Sequence, residues 1–171
     1  SDEAMHWAKE AGVIIETYPV RKNKTDGELA IDRALADGYN RLKIWGTSGD
    51  PRPDHFLSIL LYCLWMREKF GIETSICDGK NVHIPLVGPA EVRVDLADYF
   101  TPDLFNRIKI SLPTFSDLQG LSYEGLDYPV ENQDFLWGQT LLISNNIKPG
   151  LRAFSVKLEG GRAFLSLCLE D

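Results

Sequence analysis

An α/β domain built on a partial parallel sheet, followed by an antiparallel β-sandwich, is the fold class that this 171-residue sequence predicts. Two observations predict it. Residues 1–79 alternate helical stripes with short β-branched runs, a β-α-β-α-β order that folds as a parallel sheet with right-handed crossovers. After Gly79 the stripes stop, Pro and Gly become frequent, and short alternating runs follow one another, the pattern of a two-sheet antiparallel domain. Residues 1–79 and 80–171 are therefore read as two domains, each long enough for a core of its own.

The elements follow in order. Ser1 is a helix cap, with Asp2 and Glu3 favourable at the positive end of a helix that runs to Gly12. VIIETY, Val13 to Tyr18, is a β-branched run that reads as a buried strand. In TDGELAIDRALADG, Thr25 and Glu28 form the S/T-x-x-E capping box, Ile31, Ala34 and Leu35 make the apolar stripe, and Gly38 stops the helix. LKIWG is the next strand. From Asp54 to Phe70 a helix is apolar nearly all round, which predicts that it is largely buried, and IETSICD is a third strand. In the second half NVHIPLV, IKISLPTF, LRAFSVKL and RAFLSLCL alternate as sandwich strands. The last two are joined through Glu159-Gly160-Gly161, a hairpin signal. Trp7, Trp45 and Trp65 are read as core or interface residues, and His6 and His83 as structural ones.

Hydrophobic residues at 44% and charged residues at 25% describe an ordinary globular protein. A net charge of −7 argues against a nucleic-acid partner, which needs clustered Lys and Arg. The three cysteines show no metal-ligand or CxxC spacing, so they read as buried thiols in a reducing compartment. With no apolar run that would span a bilayer and no secretory leader, the expectation is a cytoplasmic protein without a membrane partner.

Chemistry concentrates in two loops. A parallel sheet binds ligands beyond the carboxyl ends of its strands. PVRKNKTD and GTSGDPRPDH both leave strands at that edge, so Lys22, Lys24, Asp26, Arg52 and Asp54 are expected on one rim. Cations there suit phosphate oxygens, and carboxylates among them suit Mg²⁺, whose shell substrate phosphates complete. Helix N-termini at Asp26 and near Asp54 add positive potential, and together these features point to phosphoryl or pyrophosphoryl transfer. Purely structural readings compete: KTDGE is a competent capping box, and GDPRPDH is a Pro-stiffened turn with Arg52 and Asp54 paired at the surface. The P-loop and GxGxxG patterns are absent.

The order YPVRKNKTDGELAIDRAL, RPDH, DGKNVHI, IKISL, GLDYPVEN, GQTLLISNN resembles bacterial thiamin pyrophosphokinases over nearly the whole chain. The resemblance implies a Rossmann-like α/β catalytic domain, a β-sandwich for thiamin binding and dimerisation, and a homodimer with sites at the subunit interface. The implied reaction moves a pyrophosphoryl group from ATP to thiamin with Mg²⁺, giving thiamin diphosphate and AMP. It places Lys24, Thr25 and Asp26 near metal and triphosphate, with Lys22 beside them. Arg52 falls on phosphate and Asp54 near the metal or the attacking hydroxyl. Ser144 and Asn145 fall on thiamin, with Trp137 stacking on its rings. Asp26, Arg52 and Asp54 are the implied catalytic set, and Asp26 and Asp54 the implied metal ligands.

Three departures are visible. The family's D-x-D-S motif and the strands and helices before it, roughly 60 residues at about 30 per β-α unit, do not precede the first helix. A truncated, poorly active chain is therefore expected. GDPRPDH carries an extra residue and two prolines relative to the family loop. The family's Asn four residues past the RPDH histidine is Ile59 here. Two rival functions follow: a non-catalytic thiamin-binding or dimerisation relative, and a pyrophosphokinase for another alcohol such as a hydroxymethyl pterin.

Overall fold

The computed structural model describes residues 2–19, 21–46 and 52–170. Their elements run α1 (Asp2–Glu10), α2 (Asp26–Ala36), β1 (Arg41–Trp45), α3 (Pro53–Phe70), β2 (Glu73–Cys77), β3 (Asn81–Val87) and β4 (Ala90–Asp95). Two 3-10 turns follow, then β5 (Ile108–Ser111), β6 (Leu118–Glu124), β7 (Gln133–Phe135), β8 (Ala153–Leu158) and β9 (Arg162–Leu169). The strands make two sheets, β1-β2-β3-β9-β5 and β4-β8-β6-β7. The fold class is the expected one, with a modification. Only β1 and β2 pair in parallel, whereas β2 pairs antiparallel with β3, so the first sheet is mixed and continues across residues 79–80.

Period-two patterning explains how this sheet serves two cores. Leu42 and Ile44 of β1 and Ile76 of β2 face the helices and pack with Ile31, Ile59, Cys63 and Met66. Farther along, Val82, Leu86, Leu165 and Leu167 face the second sheet and meet Val94, Leu118, Leu121, Phe154, Val156 and Leu158 in a larger core. The ion pair between Arg162 Nη2 and Glu68 Oε1, at 2.6 Å, ties the start of β9 to α3.

Local signals in helix α2 are realised in full. Thr25 and Glu28 close the capping box. Gly38 takes φ +92 while its N–H and that of Tyr39 donate to Leu35 and Ala34, a Schellman stop. The proposed Ser1 cap lies outside the described residues, as do Thr47 to Pro51 of the quoted loop.

Four expectations are corrected. Val13 to Tyr18 is not a strand; among the described residues it has no ladder partner, and Ile14 stands 85% exposed. β-branched propensity makes a strand only where a neighbouring edge takes up its N–H and C=O groups. The order is therefore α-α-β-α-β over this half. Helix α3 is half-exposed rather than largely buried: Ile59, Cys63, Leu64 and Met66 are inside, but Leu57, Leu61, Trp65 and Phe70 face solvent. Trp7 and Trp45 are likewise exposed, which removes the core half of their core-or-interface reading.

The fourth correction is topological. Glu159-Gly160-Gly161 does not close a hairpin, because β8 pairs with β4 and β6 while β9 pairs with β3 and β5. The segment carries the chain from one sheet to the other. Residues 88–89 make the same crossing between β3 and β4, so the paired segments 81–95 and 153–168 form one long ribbon folded over a corner. Glycine is required there: a Cβ on Gly88 would sit 2.6 Å from Gly160 Cα, and Gly161 has φ +104. A Gly-Gly pair marks a sharp backbone event, and close approach of two backbones was the event here.

Candidate active site

A cleft of about 710 Å³ opens between the N-terminal ends of α2 and α3. The loop before α2 and its first residue contribute Lys22, Lys24, Thr25 and Asp26; α3 contributes His55, Ser58, Ile59 and Tyr62; Gly46 lies at the end of β1. α3 follows β1 by a βα connection, and α2, whose C-terminal end leads into β1, has its N-terminus at the same edge, beside Gly46 at the end of β1, so the loop before α2 and the first turns of α3 meet there. The volume lies within the range of small-ligand pockets.

The charged groups in and beside it are paired in two ways. Lys22 Nζ lies 2.5 Å from Asp26 Oδ1, and its ammonium sits 5.9 Å from the Tyr18 ring centre. Lys24 Nζ donates to Asp32 Oδ2 at 2.5 Å, and the Tyr62 hydroxyl donates to Asp32 Oδ1 at 3.1 Å. Thr25 is committed to the cap: its N–H donates to Glu28 Oε2 at 2.8 Å, and its Oγ1 accepts from the Glu28 N–H at 3.2 Å. At the head of α3, Arg52 holds Asp54 with two parallel bonds, Nε to Oδ1 at 3.0 Å and Nη2 to Oδ2 at 2.7 Å. That fork, a strong carboxylate contact, brings the Asp54 carboxyl down to about 2. Lys24 likewise lowers Asp32, while burial and Asp32 push the Tyr62 phenol up to about 12.

The KTD residues and the head of α3 are thus brought to one place. Arg52 and Asp54 stand three residues and one residue before His55 of the cleft wall, facing each other. Asp26 is almost fully exposed, at 88% of its side chain, and is the acid among the expected metal ligands that lines the cleft. Among the described residues no group of three or more His, Cys, Asp or Glu side chains is placed to hold a metal ion.

The remaining expected residues lie on the sandwich. Asn145 is 8% exposed and works as a brace. Its Nδ2 donates to Tyr128 O at 2.9 Å, its Oδ1 accepts from the N–H groups of Tyr128 and Asn146, and its backbone exchanges two bonds with Ile110. Ser144 is exposed at φ +64, and its N–H donates to Ser111 Oγ at 3.0 Å. Trp137 is 70% exposed, with its N–H held by Asp117 Oδ1 at 2.8 Å. Leu136, Leu141, Ile143 and Tyr128 are exposed in the same stretch of chain. Ser144, Asn145 and Trp137 do not line the 22–62 cleft.

Sequence reasoning missed Asp32, Ser58 and Tyr62. Asp32 was legible in principle as a charged residue beside the apolar stripe of α2, and Tyr62 as a hydroxyl within an apolar helix; their meeting needed the helix packing. No helix among the described residues is long and apolar enough to cross a membrane.

Known proteins resemble this chain along its length. Residues 106–162 match the family model described as thiamin pyrophosphokinase, vitamin B1 binding domain. Over 148 residues, 86% of the chain, it is 31% identical to the thiamine pyrophosphokinase of Bacillus subtilis (strain 168), and that alignment spans 64% of the relative's length. The crystal structure of thiamine pyrophosphokinase from Bacillus subtilis superposes with a TM-score of 0.81 at 26% identity, covering all of this chain and 74% of that one. That of the Geobacillus thermodenitrificans thiamin pyrophosphokinase gives 0.77 at 21% identity, over all of this chain and 74% of that one, a likeness of fold.

Proposed function

The chain belongs to the thiamin pyrophosphokinase family, and on that premise we propose that it contributes the phosphate-binding cleft and the thiamin-binding sandwich of an enzyme making thiamin diphosphate and AMP from thiamin and ATP. The observation that carries the reading is the single cleft in which Lys22, Lys24 and Asp26 face His55 and Ser58 across two helix N-termini. Two ammonium groups and two helix ends suit the charge of a triphosphate. In the reaction the thiamin hydroxyl oxygen bonds to the β-phosphorus as its proton passes to solvent, the bond from that phosphorus to the α–β bridging oxygen breaks, and AMP leaves with that oxygen.

Roles follow from the geometry. Lys22 and Lys24 take phosphate oxygens, and Thr25 holds the helix end that presents them. Asp26, and Asp54 once Arg52 turns to phosphate, supply carboxylates to Mg²⁺, which neutralises phosphate charge when bound; that cation needs only one or two protein carboxylates beside substrate phosphates. Held at about 2 by Arg52, and at the ordinary carboxyl value of 3.8 once Arg52 turns away, Asp54 is a weak general base near neutral pH in either state. Asp54 therefore suits metal binding and orientation better than removal of the hydroxyl proton. We assign residues 1–79 to the nucleotide half and 80–171 to thiamin binding and dimerisation, in a cytoplasmic homodimer. Exposed Trp137, Leu141 and Ile143 form part of the subunit contact, with Trp137 and Ser144 reaching thiamin and Asn145 shaping the loop.

The test is calorimetry with thiamin together with an assay for AMP release, on the chain and on its Lys24→Met variant. Thiamin binding by both, with AMP release lost or strongly reduced in the variant wherever the parent shows it, is the expected result. Absence of both thiamin binding and AMP release would sink the reading.

A further inference from the structure

Lys24 faces two ways. It lines the cleft described above and also a second, mainly apolar groove of about 580 Å³ that runs on between α2 and α3, lined by Leu35, Tyr39, Trp65, Met66 and Phe70. Glu28 and Tyr62 are shared by both cavities, and Asp32 lines the second. The boundary is therefore a three-membered chain: Lys24 Nζ to Asp32 Oδ2, and Asp32 Oδ1 from the Tyr62 hydroxyl. Each carboxylate oxygen has its own donor, one from the loop before α2 and one from α3.

We infer that Asp32, oriented by Tyr62, is a positioning residue that holds the Lys24 ammonium at the cleft wall and yields it to an entering polyphosphate. This rests on the phosphate reading of the cleft and adds the device that sets its charge. An ammonium has three N–H groups and Asp32 occupies one, so the others point away from that carboxylate and are available to a ligand. The carboxylate is also a competing anion. While it holds Lys24 the cleft sees a neutralised pair, and a phosphate must offer a better set of acceptors before the lysine turns. Tyr62 matters because a carboxylate fixed by a second helix loses less rotational freedom on pairing than a free one. With its phenol pushed up to about 12, Tyr62 remains a hydroxyl donor throughout the neutral range. Asp32 is one-third exposed and Lys24 half-exposed, so the pair is loose enough to exchange.

The probe is inorganic triphosphate, titrated by calorimetry into the parent chain, Asp32→Asn, Tyr62→Phe, Lys24→Met and the Lys24→Met/Asp32→Asn double variant. Asp32→Asn is expected to tighten triphosphate about fivefold, the size of an exposed ion pair that no longer has to be broken. Tyr62→Phe should act in the same direction and less. The gain from Asp32→Asn must vanish when Lys24 is already Met. A carboxylate that merely repels phosphate would leave it intact, so persistence of the gain overturns the inference. Equal affinity of parent, Asp32→Asn and Tyr62→Phe overturns it as well, while leaving the phosphate site standing. Absence of triphosphate binding in every variant removes the phosphate site and the inference together.

Discussion

The most tightly packed glycines of the chain lie in its sandwich half. At Gly12, Gly38, Gly46, Gly71 and Gly79 of the α/β half, φ is positive and a Cβ would meet open space. At Gly120, Gly125 and Gly161 of the sandwich, φ is also positive, but a Cβ would run into a neighbouring backbone or side chain; Gly88 and Gly160 meet neighbours without unusual φ, while Gly138 and Gly150 have positive φ and open space like the first set. The first set ends helices and strands at a surface. The second lets chains touch inside a packed body. The core clusters differ in the same sense, a few residues under two helices against a large, continuous body between sheets. The phosphate cleft proposed above lies in the looser half, whose ion pairs are partly exposed.

The sharpest way to break this contrast is to place a methyl at matched glycines. Gly161→Ala, at φ +104 and against the Asp117 carbonyl, is expected to cost about 3 kcal/mol or more, through strain and clash together. Gly38→Ala, at φ +92 in open space, should cost only about 1 kcal/mol, the backbone term alone. Denaturant unfolding of both variants reads the difference directly. Similar losses would mean that the corner between the sheets relaxes easily, and the description of the sandwich as the rigid half would be wrong.

A smaller contrast is expected between cores. Leu165→Ala empties a fully buried site between the sheets and should lose about 4 kcal/mol. Ile59→Ala is buried under α2 but borders the cleft, so its surroundings can close or admit water, and about 2 kcal/mol is expected. A larger loss at Ile59 would show the helix pair to be the stiffer region. Ile59 also supports the α2 end of the cleft: a Cβ on Gly27 would lie 3.3 Å from its Cδ1, so an apolar side chain fills the space beside the KTD turn.

These elements show what can be read from the chain and what cannot. Helix α2 was legible to the residue because its capping box and Schellman stop are local, each bond spanning three to five residues. β3 and β9 were legible because period-two alternation faces a core directly. Val13 to Tyr18 was misread because a strand is a property of two segments, and only one is visible in a local run. Glu159-Gly160-Gly161 was misread for a related reason: glycine reports that the backbone does something uncommon, and a hairpin and a change of sheet demand it equally. In the site, Lys24 and Asp26 were placed on the right edge although the strand expected before them is absent, because α2 runs back along the sheet into β1 and so starts at the carboxyl end of that strand. Their partners Asp32 and Tyr62 depend on how two helices pack, which no spacing rule encodes.

At the helix end, Thr25→Ala removes the side-chain acceptor of the cap and is expected to cost about 1 kcal/mol. It should loosen the KTD turn as well, so the comparison sharpens if triphosphate affinity falls along with thermal stability. A stability loss with unchanged affinity would separate the cap from the binding role assigned to this turn.

The smallest effect concerns the charge pair at the head of α3, and it is a matter of titration more than of stability. Arg52 donates two hydrogen bonds to the Asp54 carboxylate and brings it from the ordinary 3.8 to about 2. A carboxyl depressed in the folded state adds its stabilising contribution above the unfolded value, and loses it as pH falls through the folded one. The window is therefore about pH 4 down to about 2. Asp54 is exposed, so solvent screens the pair and the change in unfolding free energy at neutral pH should be near the limit of measurement. In Arg52→Gln the Asp54 carboxyl should titrate close to its ordinary value, followed by NMR of the side-chain carbon. An unchanged low value in that variant would mean that backbone donors at the start of α3 hold the charge. The Arg52 fork would then not be what sets the charge of Asp54, and the α/β half would have one fewer pair whose exchange changes a titration.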